Sequence, residues 1–419
     1  MTKRKSLFGF IFAICLMVSS LFMLTACDND KDPGKQNTHE HTYSTVWSSD
    51  ETYHWHDATC EHTTEKSDLE QHNDITWVNT ATQHWQECGT CGRELTAKEA
   101  HNYQGYLCEC GRVSEEAVIE INSKGTLVYL DSLTTEVVDG LTDGASIRLL
   151  QDYEMPATVS VDKDITIDFG GHTITVKDKV DDKGKPISGN GFDLAYRTAN
   201  KQLRLMNGTL NADGFGVWIQ NGGKLTVDAN FTIFANYNNK YTNKNAVTIE
   251  QANSQLDLYG TAKVNGLTIA VSGNGTEGRG DYTINIMDGA KVQGGEIGIY
   301  MPNSGALNIG VAEIEADTAL YIKSGVTTIN GATLIGKGAK ADHTTRFGGC
   351  TATGDAIVVD ACGYPGGDPT VIINYATISS ANAERVGVYQ TEGHQANITN
   401  NVAELQIKTQ TIVLSKEEQ

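Results

Sequence analysis

Histidine, cysteine and tryptophan are concentrated in residues 39–112. This stretch holds eight of the eleven histidines, four of the five tryptophans and five of the nine cysteines. It also repeats itself, because His54-Trp55 recurs 30 residues later as His84-Trp85. Each copy offers four side chains of types that bind metals: His54, Cys60, His62 and His72 in the first copy, and His84, Cys88, Cys91 and His101 in the second.

The two copies differ at one position in a way that favours zinc. The first has His62 where the second has Cys91, and a tetrahedral zinc ion accepts either residue as one donor. About 30 residues per copy are too few to build an adequate apolar core. Disulfides or a fragmentary core are the alternatives. Because the first copy has only one cysteine, disulfides do not explain why both copies keep the same spacing of candidate ligands. The sequence therefore predicts a structural zinc ion in each copy.

A truncated third copy follows the first two. Cys108-Glu109-Cys110-Gly111-Arg112 is similar to Cys91-Gly92-Arg93, and His39 or His41 could complete its ligand set. The whole pattern resembles the Cys/His repeats with His-Trp pairs of surface lipoproteins from Gram-positive anaerobes. That resemblance implies no particular activity.

Cys27 is a candidate for lipid attachment. Residues 1–26 begin with three basic residues, continue as an apolar run from Leu7 to Leu24 and end in small residues, as secretory leaders do. The sequence Leu24-Thr25-Ala26-Cys27 resembles the lipobox of bacterial lipoprotein signal peptides. This resemblance implies a diacylglycerol on Cys27, a flexible tether over residues 27–38 and a location on the outer surface of the cell membrane. A plain signal anchor is the alternative.

The charge of the chain limits its partners. The net charge is −20, and it is more negative still without the basic leader. Such an acidic chain is a poor ligand for nucleic acid or anionic lipid. The expected partners are therefore the membrane through Cys27 and a neutral or cationic surface component such as a glycan.

A second repeat, of small residue, apolar, any, apolar, dominates the rest of the chain. Its seven copies are separated by 30, 22, 30, 21, 37 and 31 residues, which is the range of solenoids and propellers. Further alternating phrases follow each copy, so each unit contains three short strands, as one coil of a parallel β-helix does. A propeller blade needs four strands over roughly 40 residues. The copies are 216–219, 246–249, 268–271, 298–301, 319–322, 356–359 and 387–390.

The segment Ile165–Ile174, followed by these coils, resembles the opening of right-handed parallel β-helices of the pectate-lyase-like superfamily. The resemblance covers roughly residues 117–410 and extends to the fold alone. We expect an all-β chain with a metal-binding module at 39–112, a cap at 113–150, a β-helix at 151–410 and a tail at 411–419. In the cap, Leu133 and Val137 have helical spacing and Ile147–Leu150 is a predicted strand.

Outward-facing aromatic residues suggest what the solenoid does. The strand positions of Trp218, Tyr300, Tyr321 and Tyr389 could form a line of rings on which sugars stack, or a ladder of rings supporting each other under a loop. The motifs of polygalacturonase-like hydrolases are absent. The sequence therefore favours a non-catalytic carbohydrate-binding or adhesion scaffold, with a polysaccharide lyase or glycoside hydrolase as the alternative and a structural spacer as a further one. Cys350 and Cys362 lie in two long turns and could pair.

Overall fold

The computed structural model describes six stretches of the chain. The predicted leader, Cys27 and the tether lie outside them, as do His62 and most of the predicted tail. Within the described stretches, the only helix is far too short to cross a membrane. The chain divides into two compact units, residues 1–78 with 85–97 and residues 79–84 with 98–419. The described residues are 39–61, 64–236, 245–265, 269–275, 280–343 and 349–412.

Short strands occupy the Cys/His-rich region. In the first unit, β1, β2 and β3 form an antiparallel sheet in which Trp47 lies opposite His56. In the second unit, β7 pairs with β8. The strands are β1 (Tyr43–Ser49), β2 (Tyr53–Ala58), β3 (Lys66–Gln71), β4 (Ile75–Asn79), β5 (Gln83–Cys88), β6 (Glu99–Ala100), β7 (Tyr103–Gln104) and β8 (Leu107–Cys108).

A cap closes the first edge of the solenoid. It consists of β9 (Ile119–Ser123), β10 (Thr126–Leu130), α1 (Thr135–Asp139) and β11 (Ala145–Leu149). The Thr134 side chain accepts a hydrogen bond from the backbone N–H of Val137 and so caps the helix. Leu133 and Val138 are fully buried, and Val137, which has helical spacing from Leu133, is partly buried against the core. Strand β9 pairs antiparallel with both β10 and β11, which covers an edge that would otherwise recruit another strand.

The remaining strands, apart from β16 and β17, form three parallel sheets wound into coils, and the predicted parallel β-helix is confirmed. They are β12 (Tyr153–Glu154), β13 (Val159–Val161), β14 (Ile165–Asp168), β15 (Thr173–Val176), β16 (Lys179–Val180), β17 (Pro186–Ile187), β18 (Phe192–Leu194), β19 (Gln202–Met206), β20 (Gly208–Ala212), β21 (Val217–Ile219), β22 (Lys224–Val227), β23 (Phe231–Asn236), β24 (Val247–Ile249), β25 (Gln255–Leu258), β26 (Thr261–Asn265), β27 (Ile269–Gly273), β28 (Thr283–Ile286), β29 (Lys291–Gln293), β30 (Ile297–Met301), β31 (Ala306–Ile309), β32 (Glu313–Ala316), β33 (Thr318–Ile322), β34 (Val326–Gly336), β35 (Ile357–Ala361), β36 (Thr370–Ser380), β37 (Val386–Thr391), β38 (Asn397–Asn400) and β39 (Lys408–Ile412).

Each coil contributes one strand to each sheet. The first sheet has ten strands, β13-β18-β21-β24-β27-β30-β33-β35-β37-β39, and contains the seven copies of the repeat. The second follows β14-β19-β22-β25-β28-β31, and the third follows β15-β20-β23-β26-β29-β32. In the next two coils, β34 and β36 are long strands that each run through both the second and the third sheet. The hairpin β16–β17 projects from an early coil.

The register of the first sheet differs at two places from the alignment of the seven repeat copies in the sequence. The alignment placed Ile269 after Val247, whereas the structure pairs Val247 with Val271. It likewise placed Val388 after Ile357, which instead pairs with Val386. Both shifts are two residues, so the same face stays buried because side chains alternate along a strand. The apolar side chains that point inward form one continuous core along the coils.

One partly buried carboxyl is expected to make the stability of the solenoid depend on pH. Burial, with a smaller contribution from Asp162, raises the pKa of Asp193 to about 6. Because this lies above the unfolded value, ionised Asp193 opposes folding at pH 7, and the penalty disappears as the pH falls through 6 towards 4. We expect Asp193→Asn to stabilise the protein by about 1–2 kcal/mol at pH 7, since solvent screens part of the effect. Urea unfolding at pH 7 and pH 4 measures it.

The exposed Asp182→Asn is the matched control and should change stability little at either pH. An Asp193→Asn effect that is equal at both pH values would contradict the assignment of the pH dependence to this carboxyl.

Candidate metal centres

His54, His72, Cys88 and Cys91 form the first group of candidate metal ligands, which we call centre 1. One donor atom from each of the four side chains lies within 4.8 Å of all the others. The Nδ1 atom of His54 is 3.6 Å from the sulfur of Cys88, and Nδ1 of His72 is 3.7 Å from the sulfur of Cys91. His54 is on β2 and Cys88 ends β5, and both side chains are buried. The arrangement could hold a metal ion.

Backbone contacts fix the orientation of these ligands. The Nε2 atom of His72 donates to the carbonyl of Asp50 at 2.8 Å, which leaves Nδ1 as the donor for a metal. The N–H of Gly92 donates to the carbonyl of Cys88 at 2.8 Å, in a tight turn where Gly92 has φ +71°. Burial alone would raise the pKa of Cys88, but the backbone N–H of Cys91 and the His72 ring lower it to about 6. A thiol of this kind readily becomes the thiolate that metals bind.

A second group, centre 2, lies in the second unit and consists of His84, His101, Cys108 and Cys110. The Nδ1 atom of His84 is 3.2 Å from the sulfur of Cys108 and 3.2 Å from Nδ1 of His101, which is 3.5 Å from the sulfur of Cys110. Nε2 of His101 donates to the carbonyl of Thr80 at 3.0 Å. This contact repeats the one between His72 and Asp50 in centre 1. The two centres therefore share both their donor set and their outer hydrogen bond.

The pKa values of the two cysteines in centre 2 also repeat those of centre 1. Burial opposes ionisation of Cys108, yet the backbone N–H of Cys110 and the His101 ring lower its pKa to about 6. Burial raises the pKa of Cys110, as it does that of Cys91. In each centre, one thiol therefore has a lower pKa than the other and loses its proton at a lower pH.

His39, His41 and Cys60 form a third, smaller group. Their donor atoms lie within 4.8 Å of one another, and Nδ1 of His41 is 3.5 Å from the sulfur of Cys60. The predicted ligand His62 follows Cys60 by two residues and lies outside the described residues. Its role stays a prediction.

The ligands are grouped differently from the two predicted copies. The sequence assigned His54 and Cys60 to one ion and His84 and Cys88 to another, but neither pair shares a group. The reason is the extended strand between them, because four residues of strand separate His84 from Cys88 by about 13 Å. The histidine of each His-Trp pair instead joins the cysteine pair of the following copy. Cys108 and Cys110 are thus full members of centre 2, and His39 and His41 lie close to Cys60 rather than to them.

For three of the four aromatic residues, the structure shows the covered ladder of rings rather than the exposed line. Tyr300, Tyr321 and Tyr389 are buried, with at most 9% of each residue exposed. The ring of His343 stacks on Tyr389 with 3.9 Å between the ring centres, and the Tyr300 hydroxyl donates to the carbonyl of Gly349. Residues on either side of the undescribed stretch 344–348 therefore pack over these rings. Outward orientation on the strand was predicted correctly, but the covering residues come from a long turn that strand periodicity does not reveal.

Trp218, the fourth member, is half-buried and packs against Phe215, with ring centres 5.7 Å apart. Its indole nitrogen is buried and has no hydrogen-bond partner among the described residues.

Buried charged residues surround the same tyrosines, and no sequence pattern indicated them. Lys323 and Asp360 are fully buried, with Nζ 3.6 Å from Oδ2. Tyr321 donates to the same Oδ2 at 3.0 Å, and Nε2 of His343 lies 3.4 Å from it. We call Lys323, Asp360, Tyr321 and His343 the Asp360 cluster. These residues lie in strands and turns where apolar neighbours determine the alternating pattern, so the pattern does not indicate them. They come together only when the coils stack.

Cys350 and Cys362 are both free thiols in the structure. Burial raises the pKa of each to about 12. The pairing suggested by the sequence is not formed.

No family model, no curated protein and no solved structure matches this chain.

Proposed function

We propose that the chain is a lipid-anchored protein of the bacterial cell surface, in which a zinc-organised module precedes a β-helix that acts as a non-catalytic carbohydrate-binding or adhesion scaffold. The observation that carries the proposal is the pair of matched centres, each with two histidines and two cysteines. A module built around bound ions folds without a large apolar core. It suits a short segment between a membrane anchor and a solenoid.

Zinc is the ion that best fits the spacing of the donor atoms. With Zn–S distances near 2.3 Å and Zn–N distances of 2.0–2.1 Å, a tetrahedral site has S···N edges of about 3.6 Å and N···N edges of about 3.4 Å. The four S···N distances given above range from 3.2 to 3.7 Å, and the N···N distance in centre 2 is 3.2 Å. A set of two sulfurs and two nitrogens is also a donor set that zinc prefers. Four protein ligands leave no open position, so we assign the ions a structural role.

Lipidation at Cys27 gives the first direct test of location. We expect the mature wild-type protein to enter the detergent phase in phase-separation experiments, because two or three acyl chains give stable anchoring. Cys27→Ser should be released or wrongly processed and should remain in the aqueous phase. Cys15→Ser, in the apolar part of the leader, is the matched control and should behave as the wild type. Unchanged partitioning of the Cys27 variant would count against the lipobox.

A polysaccharide lyase or glycoside hydrolase is the second candidate, and the Asp360 cluster is the observation that favours it. Oδ1 of Asp360 and Nδ1 of His343 are buried without a hydrogen-bond partner among the described residues. Unsatisfied buried polar atoms are costly, and titratable groups in such surroundings concentrate at functional sites. Turnover of a uronic or neutral polymer, lost in an Asp360→Asn variant that keeps the far-ultraviolet circular dichroism of the wild type, would establish this candidate and overturn the non-catalytic proposal.

Glycan binding separates the scaffold from a structural spacer. The full-length protein, purified with its metal, should bind at least one glycan on an array and release neither reducing ends nor unsaturated uronates from it. Absence of binding to every glycan would leave the spacer as the better description.

A further inference from the structure

A long groove with polar and apolar lining runs along the second sheet, on the part of the solenoid away from the buried tyrosines. Two open depressions of about 570 and 310 Å³ lie next to each other and share Tyr259 as a wall. Their lining extends from Arg204 on β19 to Asn330 on β34, across six successive coils. With neighbouring coils about 4.8 Å apart, the groove is about 24 Å long. We call it the Tyr259 groove.

Two exposed aromatic rings stand in one column, with Tyr259 in the wall of the groove and Tyr375 one coil beyond Asn330, where the lining ends. The register of the strands places Asp228, Tyr259 and Met287 side by side and continues through Asn330 to Tyr375. Tyr259 is 41% exposed and Tyr375 is 60% exposed. Four coil steps separate them, or about 19 Å along the axis. Exposed rings in a column offer flat apolar faces at intervals, as a chain of sugar rings requires.

Between the rings, the groove is lined by amides whose planes are fixed. Asn308 donates from Nδ2 to Oδ1 of Asn285 at 2.9 Å, and Asn285 donates from Nδ2 to Oδ1 of Asp257 at 2.7 Å. Each asparagine uses one N–H in this ladder and retains a second N–H and carbonyl lone pairs for other partners. Oriented donors and acceptors of this kind match hydroxyl groups.

The charges of the lining point to a neutral ligand. Arg204 is the only cationic residue among the described residues that line the depressions. It is held by Asp228, with Nη2 2.7 Å from Oδ2. Its charge is therefore compensated, and the chain as a whole is strongly acidic. Polyuronates and phosphorylated polymers would be repelled.

We propose that the Tyr259 groove binds a neutral polysaccharide parallel to the solenoid axis, with Tyr259 and Tyr375 stacking on sugar rings and the asparagine ladder contacting hydroxyls. The inference rests on the proposed carbohydrate-binding function and names the face and the substrate class. It differs from the aromatic line expected from the sequence, which lies on the first sheet.

Titration of the full-length protein with neutral β-linked hexasaccharides of glucose, mannose and xylose tests this site. We expect Tyr259→Ala and Tyr375→Ala each to weaken binding of the recognised sugar by about tenfold. Tyr259→Phe should retain most of the affinity because it keeps the ring. Tyr196→Ala, at an equally exposed tyrosine remote from the groove, should bind as the wild type. The melting temperature should be unchanged in all variants, since these side chains are exposed.

The outcomes distinguish this inference from the broader function. If the wild type binds a neutral hexasaccharide and both alanine variants bind it equally well, the groove assignment is wrong while the carbohydrate-binding function stands. If the wild type binds polygalacturonate and no neutral sugar, the substrate class is wrong. If it binds no glycan, both the inference and the proposed function fall.

Discussion

Loss of metal from centre 1 is expected to unfold the first unit and leave the β-helix folded. In the metal-loaded full-length protein, Cys88→Ser should lower the zinc content by one equivalent and abolish much of the near-ultraviolet signal of tryptophan. Four of the five tryptophans lie in the Cys/His-rich stretch, so this signal reports the module rather than the solenoid. The effect is large because binding of structural zinc contributes about 10–16 kcal/mol to folding in comparable small domains. Zinc content is measured by mass spectrometry of metals.

A double variant tests the grouping of ligands. In the structure, His54 and Cys88 belong to the same centre, so His54→Ala combined with Cys88→Ser should remove one equivalent of zinc in total. If each predicted copy bound its own ion, the same double variant would remove two. Cys362→Ser, in the solenoid, is the control and should retain all the zinc. If the module instead resists excess chelator and unfolds on reduction, disulfides hold it together and the metal proposal fails.

Removal of one partner from the buried pair Lys323–Asp360 should destabilise the solenoid severely. Asp360→Ala leaves the Lys323 ammonium in a fully buried position without its carboxylate. Such a loss costs about 3–5 kcal/mol, because the remaining charge is desolvated and loses its carboxylate partner. For a unit of this size, the melting temperature should fall by about 10 °C. Thermal unfolding followed by far-ultraviolet circular dichroism measures the change.

Replacing both partners distinguishes lost pairing from lost packing. The double variant Lys323→Met with Asp360→Leu should recover most of the stability, since apolar groups of similar size often replace a buried ion pair without loss. Lys408→Ala, which removes a partner of the exposed Glu384, is the matched surface control and should change stability by less than about 1 kcal/mol. An Asp360→Ala variant as stable as this control would show that the buried pair contributes little.

The β-helix was predictable from the sequence because its core depends on a local pattern. Apolar residues alternate within each short strand, and a register error of two residues leaves the same face buried, as at Val247 and Val271. Most candidate metal ligands were recognisable for a similar reason, since histidine and cysteine recur with the repeat. Their grouping was not, because it depends on which strand lies beside which.

The solenoid surface was the least predictable part. Tyr321 and Tyr259 are both aromatic residues on strands or directly after them, yet one is buried and the other is exposed. The difference comes from His343 and neighbouring turn residues, whose position depends on contacts far apart in sequence. Lys323 and Asp360 are likewise 37 residues apart and meet only because successive coils stack.

The overlapping order of the ligands also allows the module to change length by recombination. Deletion of residues 55–84 would join His54 to Trp85 and restore an intact His-Trp pair. His54 would then take the place of His84 in centre 2, while His39 and His41 would meet Cys88 and Cys91. One centre would be lost, and each remaining candidate ligand would still belong to a group. Unequal crossing-over between repeats would therefore shorten or extend this segment by whole units and leave the remaining candidate ligands in complete groups.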